Sequence, residues 1–215
     1  LGYGYTIGWS IDPWDWSGIS SSEITSIVTS RLAAGSIILL DAGATATGTP
    51  TALLDIVSMA KAAGFNFTTI TGLLAYEGVY TDEPVPSSPS HLIDKVDTNQ
   101  KVVSLTISGV SDDAHVDAIL QNLAALNIKA TFFVNGSTSQ AALSKIAADG
   151  HEIGNHAYSG VAVTGLTSGQ LINEIAMTGS AIQSATGVNS QVYFRAPGGI
   201  TNASVLETVG SLGYD

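Results

Sequence analysis

The chain has 215 residues, with 7 Lys and Arg against 18 Asp and Glu, a formal net charge of −11, and no cysteine. That charge argues against nucleic acid or an anionic membrane surface as the main partner, and the lack of cysteine excludes a disulfide framework and any thiolate zinc site. The length fits one domain whose core is large enough to be held together by packing alone.

In chain order, the first apolar run, at 5–11, predicts a buried strand. Residues 20–34 open on serines with Glu23 in the first turn, space Ile24, Ile27, Val28 and Leu32 along one face, and stop at Gly35, which predicts a helix. A strand at 36–41 and a helix at 49–63, carrying Leu53, Leu54 and Val57 and ended by Gly64, follow. The run 65–71 predicts a third strand. Residues 74–100 carry Pro84, Pro86 and Pro89 without a clear period and read as a linker.

Strands are then predicted at 102–108, 129–134, 151–156 and 191–195, separated by helices at 112–126, 137–148 and 168–185 and followed by one at 202–212. Strands that alternate with helices pair in parallel through crossovers. Seven units in one domain predict an α/β fold closed, or nearly closed, into a barrel, with a doubly wound open sheet as the alternative. Apolar runs such as Ser36-Ile-Ile-Leu-Leu40 are too short to span a bilayer, so no membrane partner is expected. No basic region leads into an apolar stretch at Leu1, so a secretory leader is expected, if at all, outside these residues. A polar surface built from Ser, Thr, Asn and Gly suits an extracellular or cell-wall protein.

In a parallel barrel, chemistry sits at the carboxyl ends of the strands. Four stretches there carry a resemblance: Ala130-Thr-Phe-Phe-Val-Asn-Gly136, Asp149-Gly-His-Glu-Ile-Gly-Asn-His156, Phe194-Arg-Ala-Pro197 and Asp12-Pro-Trp-Asp-Trp16. Together they resemble the polysaccharide deacetylases of carbohydrate esterase family 4, the NodB homology domain. The resemblance implies a distorted (β/α)7 TIM-like barrel of the NodB type. The motif order differs from the family's, which implies a circular permutation: 1–73 as the second half of the family fold, 74–100 joining the old termini, and 101–215 as the first half. Leu-Gly-Tyr at both ends of the chain, Leu1 to Tyr3 and Leu212 to Tyr214, marks the new termini. Exchange of halves between chains, giving a homo-oligomer, is the alternative to one self-contained barrel.

The resemblance also implies a divalent metal, zinc, cobalt or nickel, held by one aspartate and two histidines, with an aspartate base and a histidine acid. Here the first motif reads Thr106-Ile-Ser-Gly109 and lacks its carboxylates, the metal-binding pair reads His156-Ala-Tyr-Ser-Gly160, and Ile38-Leu-Leu-Asp41 lacks its histidine. His156 is therefore expected to be a remnant ligand, insufficient alone, and Asp112 and Asp113 to be helix-capping groups. Arg195 and Asp15 are expected to survive as the supporting pair, joined by a charged hydrogen bond. Trp16 and Leu39 or Leu40 correspond to the apolar wall, and Tyr158 and Gly198 complete the expected substrate-binding set. His151 reads as structural, whereas His91 and His115 fall in linker and helix. The expectation is a catalytically silent domain with a carbohydrate-binding or structural role, with an active metal-dependent deacetylase on a rearranged site, or a structural protein that self-assembles by exchange of barrel halves, as alternatives.

Overall fold

The computed structural model describes residues 4–77, 89–187 and 193–212. Among them, eight strands form one sheet: β1 (Tyr5–Ile7), β2 (Ile37–Asp41), β3 (Asn66–Thr68), β4 (His91–Ile93), β5 (Val102–Ser108), β6 (Thr131–Val134), β7 (Glu152–Asn155) and β8 (Tyr193–Phe194). Their order is β2-β5-β6-β7-β8-β1-β4, with β3 also paired to β5, and every ladder is parallel. The ring closes where the chain beyond β1 meets β2. Ile11 bridges Ile38, and the Leu39 amide donates to the Ile11 carbonyl at 2.9 Å. From β5 to β8 the ring follows the chain, whereas β8 is followed by β1, 188 residues earlier, β2 neighbours β5, and β4 pairs with β1.

The helices form where the sequence supplies caps. Ser20 and Glu23 build a reciprocal capping box on α1 (Ser21–Arg31), and Thr167 and Gln170 build another on α6 (Ser168–Thr186). Asp112 caps α4 (Asp113–Ala125), Ser139 caps α5 (Gln140–Ala148) and Asn202 caps α7 (Ala203–Ser211). With α2 (Thr49–Ala62), these helices pack side by side around the outside of the sheet. Because they cover it, all seven residues of β5 are buried, as expected of a parallel strand with helices on one face and a filled barrel on the other.

Two predictions are corrected. The strand expected at 65–71 ends at Thr68, and α3 (Ile70–Leu74) takes over from a Thr69 cap. The reason is tertiary: α3 lies across the amino-terminal ends of three strands. The Ile70 amide donates to Thr131 Oγ1 of β6 at 3.0 Å, and the Thr71 hydroxyl bonds Glu152 of β7 and sits 2.9 Å from the Tyr193 hydroxyl of β8. It plugs the barrel floor, and Ile70, Leu73 and Leu74 are buried there with Ile7, Phe133 and Tyr193. The segment expected to be a linker, 74–100, contains β4, which pairs with β1 in the register Tyr5↔His91 to Ile7↔Ile93. No periodicity announces a three-residue strand. Residues 78–88, including Pro84 and Pro86, lie outside the described residues, as do residues 191–192 of the seventh predicted strand and most of both Leu-Gly-Tyr ends.

Candidate functional site

Six strand ends converge on a cleft of about 430 Å³. The turn after β1 supplies Trp9, Asp12, Trp14 and Trp16, and β2 supplies Leu39 and Asp41. Ser108 and Gly109 come from β5, Asn135 from β6, His156 and Gly160 from β7, and Pro197 and Gly198 from β8. This is the volume range of small-ligand sites.

Local chemistry of the first turn decides how its side chains point. Asp12 Oδ1 accepts from the Trp14 amide at 2.8 Å, closing an Asx turn, and Trp14 is held at a positive φ of 58° that a bulky residue adopts only under constraint. A 3-10 turn, Asp15–Ser17, follows and ends at Gly18 with φ of 80°. It pushes Trp14 and Trp16 outward, each about half exposed (52% and 54%), and turns Asp15 between them fully inward. The two tryptophans therefore wall the cleft rather than cap the core.

Asp15 does not meet Arg195. Its Oδ2 accepts from the Asp41 amide (2.8 Å) and the Thr49 hydroxyl (2.6 Å), tying the tryptophan turn to β2 and α2, while Oδ1 is buried without a hydrogen-bond partner. Burial raises its pKa to about 6, with the charges of Asp41 and Asp12 adding to the effect and the two hydrogen bonds opposing it. The expected Asp15–Arg195 bond is thus corrected: the turn is anchored to a helix start instead.

Arg195 is fully buried and spans the barrel. Nε donates to the Ile7 carbonyl (3.0 Å), one terminal nitrogen to the Gly8 carbonyl (2.9 Å), and the other to Thr106 Oγ1 (2.9 Å) and Ser108 Oγ (3.3 Å). The guanidinium lies 4.0 Å from the Phe133 ring centroid and 5.4 Å from that of Trp9. Burial lowers its pKa to about 9, so it stays charged at neutral pH, and the charge that supports it is Asp94, just after β4. Nothing in the run 74–100 marks Asp94 for this role; only the pairing of β4 with β1 brings it beside Gly8.

His156 Nδ1 lies 2.8 Å from the Arg195 carbonyl. A carbonyl only accepts, so Nδ1 carries the hydrogen. Burial drives the pKa of this imidazole down to about 4, with the Arg195 charge also lowering it, so it is neutral at physiological pH with its other nitrogen as an acceptor. His151 is structural, as expected: it accepts from the Ala130 amide (3.2 Å) and packs on Phe132.

The remaining expected site residues divide. Leu39 lines the cleft, whereas Leu40 is fully buried against the helices, because successive strand residues face opposite sides. Tyr158 lies against Gly136 outside the cleft lining, where its ring occupies the space a side chain there would need, and Gly198, at φ of 68°, lines the cleft. Asp112 accepts from the Ala114 and His115 amides, each at 3.0 Å, as a cap. His115 is more than a helix residue: its Nδ1 lies 2.9 Å from the Gly43 carbonyl, beside Asp41.

The comparisons with known proteins bear on this geometry. Residues 95–215 match the family model of the polysaccharide deacetylases. The chain belongs to that family. It is 27% identical over 132 residues to the peptidoglycan-N-acetylmuramic acid deacetylase PdaA of Bacillus subtilis, covering 57% of this chain and 50% of that protein. It is 31% identical over 107 residues to a chitin deacetylase of a Pestalotiopsis species, covering 47% and 36%. The solved structure of a family 4 carbohydrate esterase from Bacillus anthracis superposes with a TM-score of 0.52 at 30% identity, covering 55% of this chain and 58% of that one. The chain spans about half the length of the curated relatives it matches.

For a polysaccharide deacetylase, this cleft is short of metal ligands. Among the described residues, no three His, Asp or Glu side chains come together in a way that could hold a metal ion. His156 and Gly160 both line the cleft, and glycine offers no ligand atom there, while Asp112 is committed to its cap. The residues present do not fit the divalent metal implied by the family.

Asp41 has a second effect on the centre. Its Oδ1 accepts from the Gly43 amide at 2.7 Å, and both carboxylate oxygens lie 2.2–2.4 Å from where a β-carbon on Gly109 would sit. Gly109 also has φ of +63°. Gly109→Ala is therefore expected to cost about 2–3 kcal/mol, from left-handed strain and overlap with the carboxylate. Asp41→Ala in the same background should recover the overlap part. Urea unfolding of the four-member cycle measures both, and additivity of the two substitutions would show that the contact carries nothing.

Proposed function

We propose that this polysaccharide deacetylase domain binds polysaccharide in the tryptophan-walled cleft without hydrolysing it, in a secreted or cell-wall setting. The observation that carries the reading is the pairing of an intact aromatic cleft with a centre where the groups meant to hold metal and move protons are missing or locked: Gly109, Gly160 and a neutral His156. Flat indole faces are suited to stacking against sugar rings. Peptidoglycan and chitin, named for the curated relatives, define the substrate class to try first. No helix among the described residues is long and apolar enough to cross a membrane. Arg195 is a positioning residue in this reading, and Trp16, Leu39 and Gly198 are the expected ligand contacts.

We further read the chain as one permuted barrel. The ring order supports this, because β8 is continued by β1 and β2 by β5.

The test is calorimetric titration with chitooligosaccharides and muropeptides, alongside acetate release in the presence of zinc, cobalt or nickel. Binding without acetate release is expected, and Trp16→Ala should weaken it about tenfold, the loss of one stacking face. Stoichiometric metal uptake with acetate release overturns the silent reading and restores the metal-dependent deacetylase.

A further inference from the structure

The charges around the cleft say which sugars it suits, and the inference rests on the carbohydrate-binding reading above. Asp12, within the turn that carries Trp14 and Trp16, and Asp41, at the end of β2, both line the cavity and feel each other's charge. Asp15, directly behind them, adds a third carboxyl that feels the charge of both. No lysine or arginine lines the cleft, and burial keeps His156 neutral. Arg195 is the nearest buried cation, but its donors are spent on Ile7, Gly8, Thr106 and Ser108, and Asp94 opposes its charge. Only His115 acts on Asp41 from the positive side, through the ring that touches Gly43. The result is a concave site in which two carboxylates stand beside Trp16, while Arg31 lies 5.8 Å from the Trp14 ring centroid and Arg195 5.4 Å from that of Trp9. Aromatic faces beside carboxylates form a cation site, because the π-faces and the anions attract the same ligand charge.

We propose that the cleft selects de-N-acetylated amino sugars, polysaccharide residues whose nitrogen is a free ammonium, over their acetylated counterparts. An acetamide is neutral and gains nothing from Asp12 or Asp41, whereas an ammonium seated between them and the tryptophans gains both contributions. The chain's net charge of −11 adds a long-range pull on a polycationic polymer. The domain then reads the product of deacetylation rather than performing it.

The experiment compares two probes by calorimetry at about pH 6: a fully N-acetylated β-1,4-glucosamine hexamer and the fully deacetylated hexamer. The deacetylated hexamer is expected to bind about tenfold or more tightly, with an advantage that shrinks as salt rises. Asp41→Asn and Asp12→Asn, which keep the oxygens accepting from Gly43 and Trp14, should each shrink the ratio of the two affinities about threefold or more. Equal affinities, tighter binding of the acetylated hexamer, or a preference that survives both substitutions overturn the inference while leaving the carbohydrate-binding reading in place. Binding of neither hexamer overturns both.

Discussion

Arg195→Met is expected to destabilise the domain by about 3–5 kcal/mol, the range found when one member of a buried charged network is removed. Methionine fills much of the volume, so the loss is polar. The Ile7 and Gly8 carbonyls and the Thr106 and Ser108 hydroxyls lose their shared donor, and Asp94 is left without its supporting charge. Those acceptors come from β1 and β5, so one side chain from β8 ties strands across the barrel. Arg195→Lys should recover only a small part, since a point ammonium cannot reach four acceptors with the geometry of a planar guanidinium. Urea unfolding midpoints give the comparison. Asp94→Asn in both backgrounds tests the pairing: a loss no larger with Arg195 present than without it would remove Asp94 from the account.

Asp15→Asn is expected to change how stability depends on pH. The carboxyl titrates near 3.8 in an unfolded chain and at about 6 in the fold, so the native state holds a proton that the unfolded state has released. Its contribution is fully present below pH 3.8 and is lost as pH rises through about 6. The displacement corresponds to about 3 kcal/mol. His151 and His156 act in the opposite direction over an overlapping window, because their pKa values are depressed to about 4 and their contribution fades as pH falls below 6.5. The raw pH profile therefore mixes both effects, and the variant isolates one. The stability of Asp15→Asn relative to the parent should rise by about 2–3 kcal/mol between pH 4 and pH 7 and stay level above that. A constant difference across this range would mean that Asp15 ionises normally, and that Oδ1 has found a partner.

Much of the architecture was legible because period and punctuation agree. Residues 102–108 are a strand as predicted, and the helix starts at Ser20, Asp112 and Thr167 are signalled by their own caps. The departures are places where distant contacts override local pattern. The apolar run at 65–71 had the composition of a strand, but the barrel floor needed a plug, and Thr69 could start a helix there. β4 is too short to carry a period and exists because β1 offers it an edge. The site divides the same way. Strand ends and the Asp12 to Trp16 motif located the cleft, whereas partners could not be read. Asp15 and Arg195 are each the expected residue with an unexpected neighbour, because Thr49 and Asp94 come from segments whose sequence says nothing about carboxylates or guanidinium groups.

The seam between β8 and β1 has a consequence in time. Arg195 reaches Ile7 across 188 positions, and the Tyr5↔Tyr193 and Thr6↔Phe194 pairs join the beginning of the described chain to its last strand. During synthesis β1 must wait, with one edge open, until β8 has emerged, so ring closure is the last long-range event in assembling the sheet rather than an early nucleus. The central staves β5, β6 and β7, whose neighbours are close in sequence, can assemble well before that. Refolding should therefore be limited by the pairing of β8 with β1, and the binding cleft, which draws on both sides of the seam, comes into being only at that final step.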